Sequence, residues 1–78
     1  MAQIDLSNFC KIEKQRNLVH EKVATTYTVF DIGGVKYVQI DTYGRNGREN
    51  PEKISQSIQI DKDVAVELIR ILRDEFEL

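Results

Sequence analysis

The most constraining feature of this sequence is a β-hairpin pattern near its centre. The run from Thr25 to Ile32 consists almost wholly of β-branched and aromatic residues, which favour strands. Gly33-Gly34 follows and suits the two positive-φ positions of a two-residue turn, and residues 35–43 return as a second run rich in Val, Ile and Tyr. The pattern predicts two antiparallel strands, at 25–32 and 35–43.

Two further patterns lie beyond this hairpin. Residues 54–60 alternate apolar and polar side chains, as a half-buried strand does. Asp61 is a good helix N-cap, and apolar residues then recur at helical spacing, which predicts one amphipathic helix over 61–78. Ile71 is expected to be exposed or to face a second subunit. The stripe expected to pack on the sheet is Val64, Ala65, Leu68, Ile69, Leu72 and Phe76.

The N-terminal part of the chain has weaker patterns. Residues 1–8 show no sustained period and predict a loose arm, part of which Ile4, Leu6 and Phe9 could hold in place. In 9–23 apolar residues are sparse among charges, which predicts one or two short edge strands or an irregular ribbon. The predicted fold is therefore α+β, with one domain over 1–78: an antiparallel β-meander of about four strands in 9–60, and a C-terminal amphipathic helix over 61–78 packed on one face.

The chain is small and carries few residues for covalent or metal cross-links. A domain of 78 residues buries only roughly 60% of the surface that its unfolded chain exposes, so self-association is the usual way to gain buried area. We therefore expect a homodimer. The single cysteine and single histidine predict no disulfide and no metal site within one chain, and cysteine usage favours a cytoplasmic location. No apolar run approaches the roughly 18 residues of a membrane span, so no membrane partner is expected.

One face of the predicted sheet is a candidate binding surface. Strand side chains alternate, so Phe30, Ile32, Val38, Ile40, Ile58 and Ile60 are expected on the face under the helix. The opposite face would carry Tyr27, Val29, Asp31, Tyr37, Gln39, Asp41, Tyr43, Ser55, Ser57 and Gln59. Tyrosines can stack on the bases of single strands, and cations in the loop at 44–53 can contact phosphates. The alternative is an ordinary strand face that is solvated or covered by a partner.

From Tyr27 onward the chain resembles a known family. A strand ending in Val38-Gln39-Ile40-Asp41-Thr42-Tyr43 is followed by a charged Gly/Pro-containing loop, then by residues 53–60, an acidic cap and an amphipathic helix. This order is similar to the single-stranded-DNA-binding domain of the transcriptional coactivator positive cofactor four and its short bacterial relatives. The resemblance implies a homodimer whose sheet and basic loops hold single strands. Residues 39–44 and 54–59 also resemble small bacterial proteins labelled methionyl-tRNA formyltransferase-like.

These arguments lead to a non-catalytic, single-stranded nucleic-acid-binding protein of transcriptional-coactivator-like type, without a cofactor. The predicted nucleic-acid-binding residues are Tyr27, Tyr37, Gln39, Tyr43, Arg45, Arg48, Lys53, Ser55 and Ser57. The net charge is −2, with −3 concentrated in 61–78. The alternative is therefore a small acidic protein-interaction module that acts as an accessory or inhibitory partner of a larger enzyme.

Other side chains suggest chemistry only weakly. Cys10 and His20 are types that act as nucleophile and base, but their spacing does not place them together, and we expect Cys10 to be a small buried residue and His20 a surface or rim residue. Asp31 and Asp41 are a conceivable carboxylate pair for a cation. Such carboxylates are more often cross-strand partners of a lysine or arginine, here Lys36 or Lys53.

Overall fold

A computed structural model describes residues 1–44 and 53–78 of the chain. The elements are β1 (Ala2–Gln3), β2 (Thr25–Ile32), β3 (Val35–Tyr43), β4 (Ile54–Ile60) and α1 (Lys62–Phe76), with one 3-10 turn at Leu6–Asn8. The predicted α+β class with one C-terminal helix is confirmed. None of the helices in these two ranges is long and apolar enough to cross a membrane.

The described strands form a single sheet in the order β1-β4-β3-β2. Strands β2, β3 and β4 form an antiparallel meander, as the sequence predicts, while β1 pairs with β4 in parallel and makes the sheet mixed. Gly33 and Gly34 both have positive φ angles, of 60° and 79°, so the two-residue turn opposes Ile32 to Val35. This turn sets the register of the whole hairpin.

The prediction of a loose arm over residues 1–8 is wrong. Ala2 and Gln3 pair with Ile58 and Gln59, and the Ile4 backbone N–H donates to the Gln59 carbonyl at 3.0 Å. Asp5 then caps the 3-10 turn, and hydrogen bonds from Ser7 and Asn8 hold the pKa of its carboxyl below the usual range. These backbone pairings shield one edge of the sheet, whereas β2 forms the other edge.

Residues 9–24 contain no strand, so the predicted edge strands there are absent. This segment starts near α1, where Lys11 Nζ lies 3.8 Å from Glu75 Oε1, and it ends where the Ala24 carbonyl accepts from the Tyr43 N–H. Leu18 and Val19 between these points are exposed. The sequence allowed either short edge strands or an irregular ribbon here, and the structure has the irregular ribbon.

The core lies where β4 joins α1. Ile60 at the end of β4 and Val64 in the first turn of α1 are the buried apolar residues of the described chain. The predicted sheet-facing stripe is only partly right. Leu68 and Ile71 are half-buried, whereas Ile69, Leu72 and Phe76 are exposed, so Ile71 lies on the sheltered side of the helix and not outside it.

The predicted N-cap of the helix is confirmed, because Asp61 Oδ1 accepts from the Val64 N–H at 3.0 Å. Replacing Asp61→Ala removes this acceptor and should lower the free energy of unfolding by about 1 kcal/mol. Urea denaturation followed by circular dichroism measures the loss. Asp61→Asn, which keeps a capping oxygen, is the matched control and should stay close to wild type. An equal loss in both variants would show that the cap is not the cause.

Candidate functional site

One face of the sheet gathers four of the predicted site residues, Tyr37, Gln39, Tyr43 and Ser57, and we call it the Tyr37 face. Direct cross-strand partners share a face, and the register opposes Gln39 to Gln59 and Asp41 to Ser57. The side chains of this face on β2, β3 and β4 include Thr26, Thr28, Phe30, Ile32, Val35, Tyr37, Gln39, Asp41, Tyr43, Ser57 and Gln59. The opposite face, which we call the Val38 face, includes Tyr27, Val29, Val38, Ile40, Ile58 and Ile60.

The predicted face assignment of β2 is wrong by one residue. Tyr27 opposes Ile40, so it lies on the Val38 face with 74% of its surface exposed, apart from Tyr37 and Tyr43. Phe30 opposes Tyr37 and lies on the Tyr37 face, not in the expected core. The two-residue turn already fixes the face of each β2 residue. Because the turn pairs Ile32 with Val35, the partner of every earlier β2 residue follows by counting back along the hairpin. Phe30 is therefore the aromatic site residue that sequence reasoning missed.

Aromatic side chains lie at both ends of the Tyr37 face. The Phe30 and Tyr37 rings stack near the hairpin turn, with centroids 5.5 Å apart and planes 27° from parallel. At the far end of β3 the Tyr43 hydroxyl lies 3.1 Å from the Thr26 hydroxyl, within hydrogen-bond distance. Tyr37 and Tyr43 are both half-buried, so their rings are held in place and remain partly open to solvent.

Between these aromatic ends runs a chain of side-chain hydrogen bonds that we call the Asp41 ladder: Gln59, Gln39, Asp41 and Ser57. The Gln59 Nε2 donates to Gln39 Oε1 at 2.8 Å, and Gln39 Nε2 donates to Asp41 Oδ1 at 3.0 Å. The Ser57 hydroxyl donates to the same Asp41 oxygen. Asp41 is only 5% exposed, and among the described residues it is the one charged residue that is buried.

The carboxylate of Asp41 determines the orientation of both amides. An ionised carboxylate only accepts hydrogen bonds, so Gln39 must turn its NH₂ group toward Asp41 and its oxygen toward Gln59. Gln59 must then present its own NH₂ group to Gln39. Because the acceptor is charged, its bonds are stronger than those between neutral groups. The ladder is thus a preorganised polar strip that leaves amide groups at the surface of the sheet.

Two shallow cavities flank this strip. One of about 270 Å³ lies where β1 meets the ladder and is lined by Met1, Ala2, Gln3, Gln39, Ser57 and Gln59. The other, of about 640 Å³, lies at the Tyr43 end and is lined by His20, Glu21, Val23, Thr42, Tyr43, Gly44, Ser55 and Gln56. Ser55 is exposed and has no partner on β3, because the register shifts between Thr42 and Tyr43. Ser55 and Tyr43 line this same cavity, although the residue directly opposite Tyr43 is Ile54.

The predicted cations are only partly described. Arg45 and Arg48 lie outside the described residues. Lys53 is exposed at the bend that precedes β4, and it adjoins the Tyr43 end of the site along the chain. The strand residues of the Tyr37 face include neither lysine nor arginine. Any phosphate contacts in this site must therefore come from Lys53 and neighbouring parts of the chain.

Cys10 and His20 lie at different places. Cys10 is exposed, contrary to the prediction that it is buried, and it lines a cavity of about 520 Å³ between the N-terminal segment and α1. His20 lines the separate cavity beside Tyr43. In the structure as described, the two side chains are not brought together as a nucleophile and its base would be.

The hypothesis that Asp31 and Asp41 form a carboxylate pair for a cation is wrong. Asp31 lies on the Val38 face directly opposite Lys36, whereas Asp41 lies on the Tyr37 face within the ladder. Asp31 therefore has the cross-strand lysine that the alternative interpretation expected. Asp41 is instead the acceptor that organises neighbouring amides.

The chain matches no family model, no curated protein and no solved structure. The chemistry of the site therefore has to be inferred from its own residues: aromatic rings that can stack, amides and hydroxyls that can hydrogen-bond, and an adjoining lysine.

Proposed function

We propose that this protein binds single-stranded nucleic acid, without catalysis and with little sequence preference, as the transcriptional-coactivator family that it resembles does. The observation that carries this proposal is the arrangement on the Tyr37 face. A stacked Phe30–Tyr37 pair lies at one end, Tyr43 lies at the other, and the Asp41 ladder lies between them.

The dimensions of this face suit a short single strand. Tyr37 and Tyr43 are six residues apart on one strand, which corresponds to about 20 Å. A base stacked on an aromatic ring gains about 1–3 kcal/mol whatever its identity, because every base has a π-face. The remaining amide hydrogens of Gln39 and Gln59 are donors that can contact base edges between the two rings.

The charges place a limit on the electrostatic part of binding. Arg45, Arg48 and Lys53 are the cations that the sequence supplies between β3 and β4, so we expect these cations of one chain to neutralise about three phosphates. The logarithm of the binding constant should then fall with the logarithm of salt concentration with a slope of about −2, since each contact on a single strand contributes about −0.7. The proposed binding unit is a homodimer in the cytoplasm, which the small size of the chain and its single cysteine favour.

The test is fluorescence anisotropy of a labelled thymidine oligonucleotide titrated with the protein over a series of salt concentrations. We expect saturable binding at low salt and a slope near −2 for each chain engaged. Lys53→Gln should make the slope shallower by about 0.7. Lys36→Gln removes a lysine from the Val38 face and is the matched control, with an unchanged slope.

Failure to bind at low salt would contradict the proposal. It would favour the second candidate, a protein-interaction module, which the net charge of −3 in residues 61–78 supports. Binding that does not depend on salt would also contradict the proposal, because strands contacted through three cations must release counterions.

A further inference from the structure

The strand β2 is an open edge of the sheet. It pairs with β3 along its whole length, from Thr25 opposite Thr42 to Ile32 opposite Val35, and no other described strand lies beside it. At the other edge, β4 is shielded by β1. Features that usually protect an edge are missing from β2, because it is eight residues long, contains no proline, lysine or arginine, and keeps one register against β3. An edge of this kind is open to pairing with another strand.

The hairpin turn determines which backbone groups of β2 point outward. In an antiparallel pair, residues that exchange backbone hydrogen bonds with their partner alternate with residues whose N–H and C=O groups point to the other side. Ile32, next to the two-residue turn, is of the first kind. At the far end of the hairpin the Ala24 carbonyl accepts from the Tyr43 N–H at 3.0 Å, in agreement with this alternation. The residues whose N–H and C=O groups point to the open edge are therefore Thr25, Tyr27, Val29 and Asp31.

The described residues offer these outward groups no backbone partner. The same edge is also bordered by apolar surface, since Tyr27 and Val29 are 74% and 53% exposed on the Val38 face. The chemistry that satisfies both features is another extended strand, which supplies N–H and C=O groups in the same alternation and covers the side chains beside them.

We propose that this strand is β2 of a second copy of the chain, paired antiparallel about a two-fold axis at Thr28. A two-fold interface opposes one patch to the same patch of the partner. The outward residues are distributed symmetrically about Thr28, so this register opposes each of them to another outward residue: Thr25 to the partner's Asp31, and Tyr27 to the partner's Val29. Moving the register by two residues in either direction leaves outward residues of β2 without a partner in the strand.

The side chains also match in this register. Tyr27 lies beside Val29 of the partner subunit, which is a favourable pair of an aromatic and a β-branched residue. Thr28 opposes its own counterpart, so two hydroxyl groups meet at the axis. Asp31 opposes Thr25, and no two like charges are opposed. The edge of β2 is therefore complementary to itself in both its backbone and its side chains.

This contact would join the two sheets into one. Because Thr28 opposes Thr28, the Tyr37 faces of the two copies lie on the same side of the joined sheet. The pairing thus specifies the contact of the homodimer in the proposed function, and it rests on that proposal only for the homodimer. It does not require that the chain bind nucleic acid.

The first test is a disulfide cross-link at the axis. Thr28 bonds to β3, so Thr28 and its counterpart form a non-hydrogen-bonded pair, with Cα atoms about 4.5 Å apart, within the range that a disulfide spans. In a Cys10→Ser background, which removes the exposed native thiol, Thr28→Cys should form a covalent dimer under mild oxidation on a non-reducing gel. The matched control is Ile32→Cys on the same face of β2, where the two thiols would lie about 27 Å apart. It should not cross-link.

The cross-link has two outcomes that would overturn the proposal. One is the absence of a covalent dimer in Thr28→Cys. The other is equal cross-linking of Thr28→Cys and Ile32→Cys, which would show that the thiols meet by collision and not in the proposed register.

The second test exchanges charges at the axis and measures mass by sedimentation equilibrium without nucleic acid. The wild-type chain should be a dimer, and Thr28→Lys should raise its dissociation constant at least about 10-fold, because symmetry places two ammonium groups directly opposite each other. Thr28→Asp should weaken the dimer in the same way. An equimolar mixture of the two variants should form a heterodimer, since opposite charges then meet. Ile32→Lys adds the same charge to the same face, far from the axis, and should remain dimeric.

Three results of this second test would overturn the proposal: a wild-type chain that stays monomeric at every soluble concentration, a dimer that Thr28→Lys weakens no more than Ile32→Lys does, or a mixture that forms no heterodimer. The second of these would place the contact on another surface. Each result is separate from the oligonucleotide titration. A chain that binds the oligonucleotide and fails here would contradict the pairing alone, whereas a chain that pairs through β2 and binds no oligonucleotide would contradict only the proposed function.

Discussion

Replacing Tyr37 by alanine is expected to weaken binding of a single-stranded oligonucleotide by about 5-fold to 150-fold. This range corresponds to the roughly 1–3 kcal/mol that stacking contributes per base. Tyr37→Ala also deprives Phe30 of its ring partner, so the aromatic platform at the hairpin end is lost as a unit. Anisotropy titration with a thymidine oligonucleotide at fixed low salt measures the change. Tyr37→Phe keeps the stacked ring and should bind within a few-fold of wild type.

The chain offers a matched control for this prediction in Tyr27→Ala. Tyr27 is a tyrosine of the same hairpin, but it lies on the Val38 face and is mostly exposed. Its replacement should leave binding unchanged if the Tyr37 face is the site. Equal weakening by both variants would mean that loss of fold, or a different surface, causes the effect. Thermal unfolding of each variant separates loss of fold from loss of contact.

Local patterns were sufficient to predict the meander and the helix. The bounds of β2, β3 and β4 are as predicted, because β-branched runs, a Gly-Gly turn and an acidic N-cap are signals contained within a few residues. The parallel pairing of Ala2–Gln3 with β4 was not predictable in this way. Its partners are more than 50 residues apart, and two residues carry no periodic pattern.

The face on which each side chain lies was harder to predict than the bounds of the strands and the helix. The run of β2 is apolar on both faces, so its pattern alone does not say whether Tyr27 or Phe30 joins Tyr37. Similarly, α1 has apolar residues on two sides. Ile71, which lines a cavity with Phe9 and Cys10 of the N-terminal segment, is half-buried, whereas Ile69 is exposed. Each ambiguity is removed by a nonlocal contact.

In the candidate site, too, the features set by local sequence were predictable and those set by nonlocal contacts were not. Tyr37, Gln39, Tyr43 and Ser57 come to one face as predicted, because alternation along a strand and between direct partners is local. The role of Asp41 did not follow from the sequence. It depends on Gln39 two residues away and on Ser57 across the sheet, which together turn a charged strand residue into a buried acceptor. The Arg45 and Arg48 predictions lie outside the described residues and remain predictions.

Replacing Asp41 by alanine is expected to have the largest effect on stability. The variant removes the charged acceptor of two hydrogen bonds and leaves the Gln39 amide and the Ser57 hydroxyl without it. We expect the free energy of unfolding to fall by about 2–4 kcal/mol, since bonds to charged groups contribute about 1.5–3 kcal/mol each and half-buried donors recover part of that from water. Urea unfolding at a fixed protein concentration measures it, because dimers unfold in a concentration-dependent way.

The matched control for Asp41→Ala is Asp31→Ala on the opposite face. Asp31 is exposed, so its replacement should change the free energy of unfolding by no more than about 0.5 kcal/mol. Asp41→Asn should fall between the two, because an asparagine keeps one acceptor oxygen but no charge. If Asp41→Ala were no less stable than Asp31→Ala, the ladder would not contribute to folding.

The continuity of the ladder can be tested by a double-mutant cycle between Asp41 and Gln59. Their side chains share no hydrogen bond, and Gln39 lies between them. If Asp41 orients Gln39 and Gln39 in turn orients Gln59, the Asp41→Ala and Gln59→Ala effects should deviate from additivity by at least about 0.5 kcal/mol. The Asp31→Ala and Gln59→Ala pair should be additive, because no hydrogen-bond network joins the two faces within the described strands. Additivity in the Asp41 pair would mean that each amide is held separately and that Asp41 does not preorganise the strip.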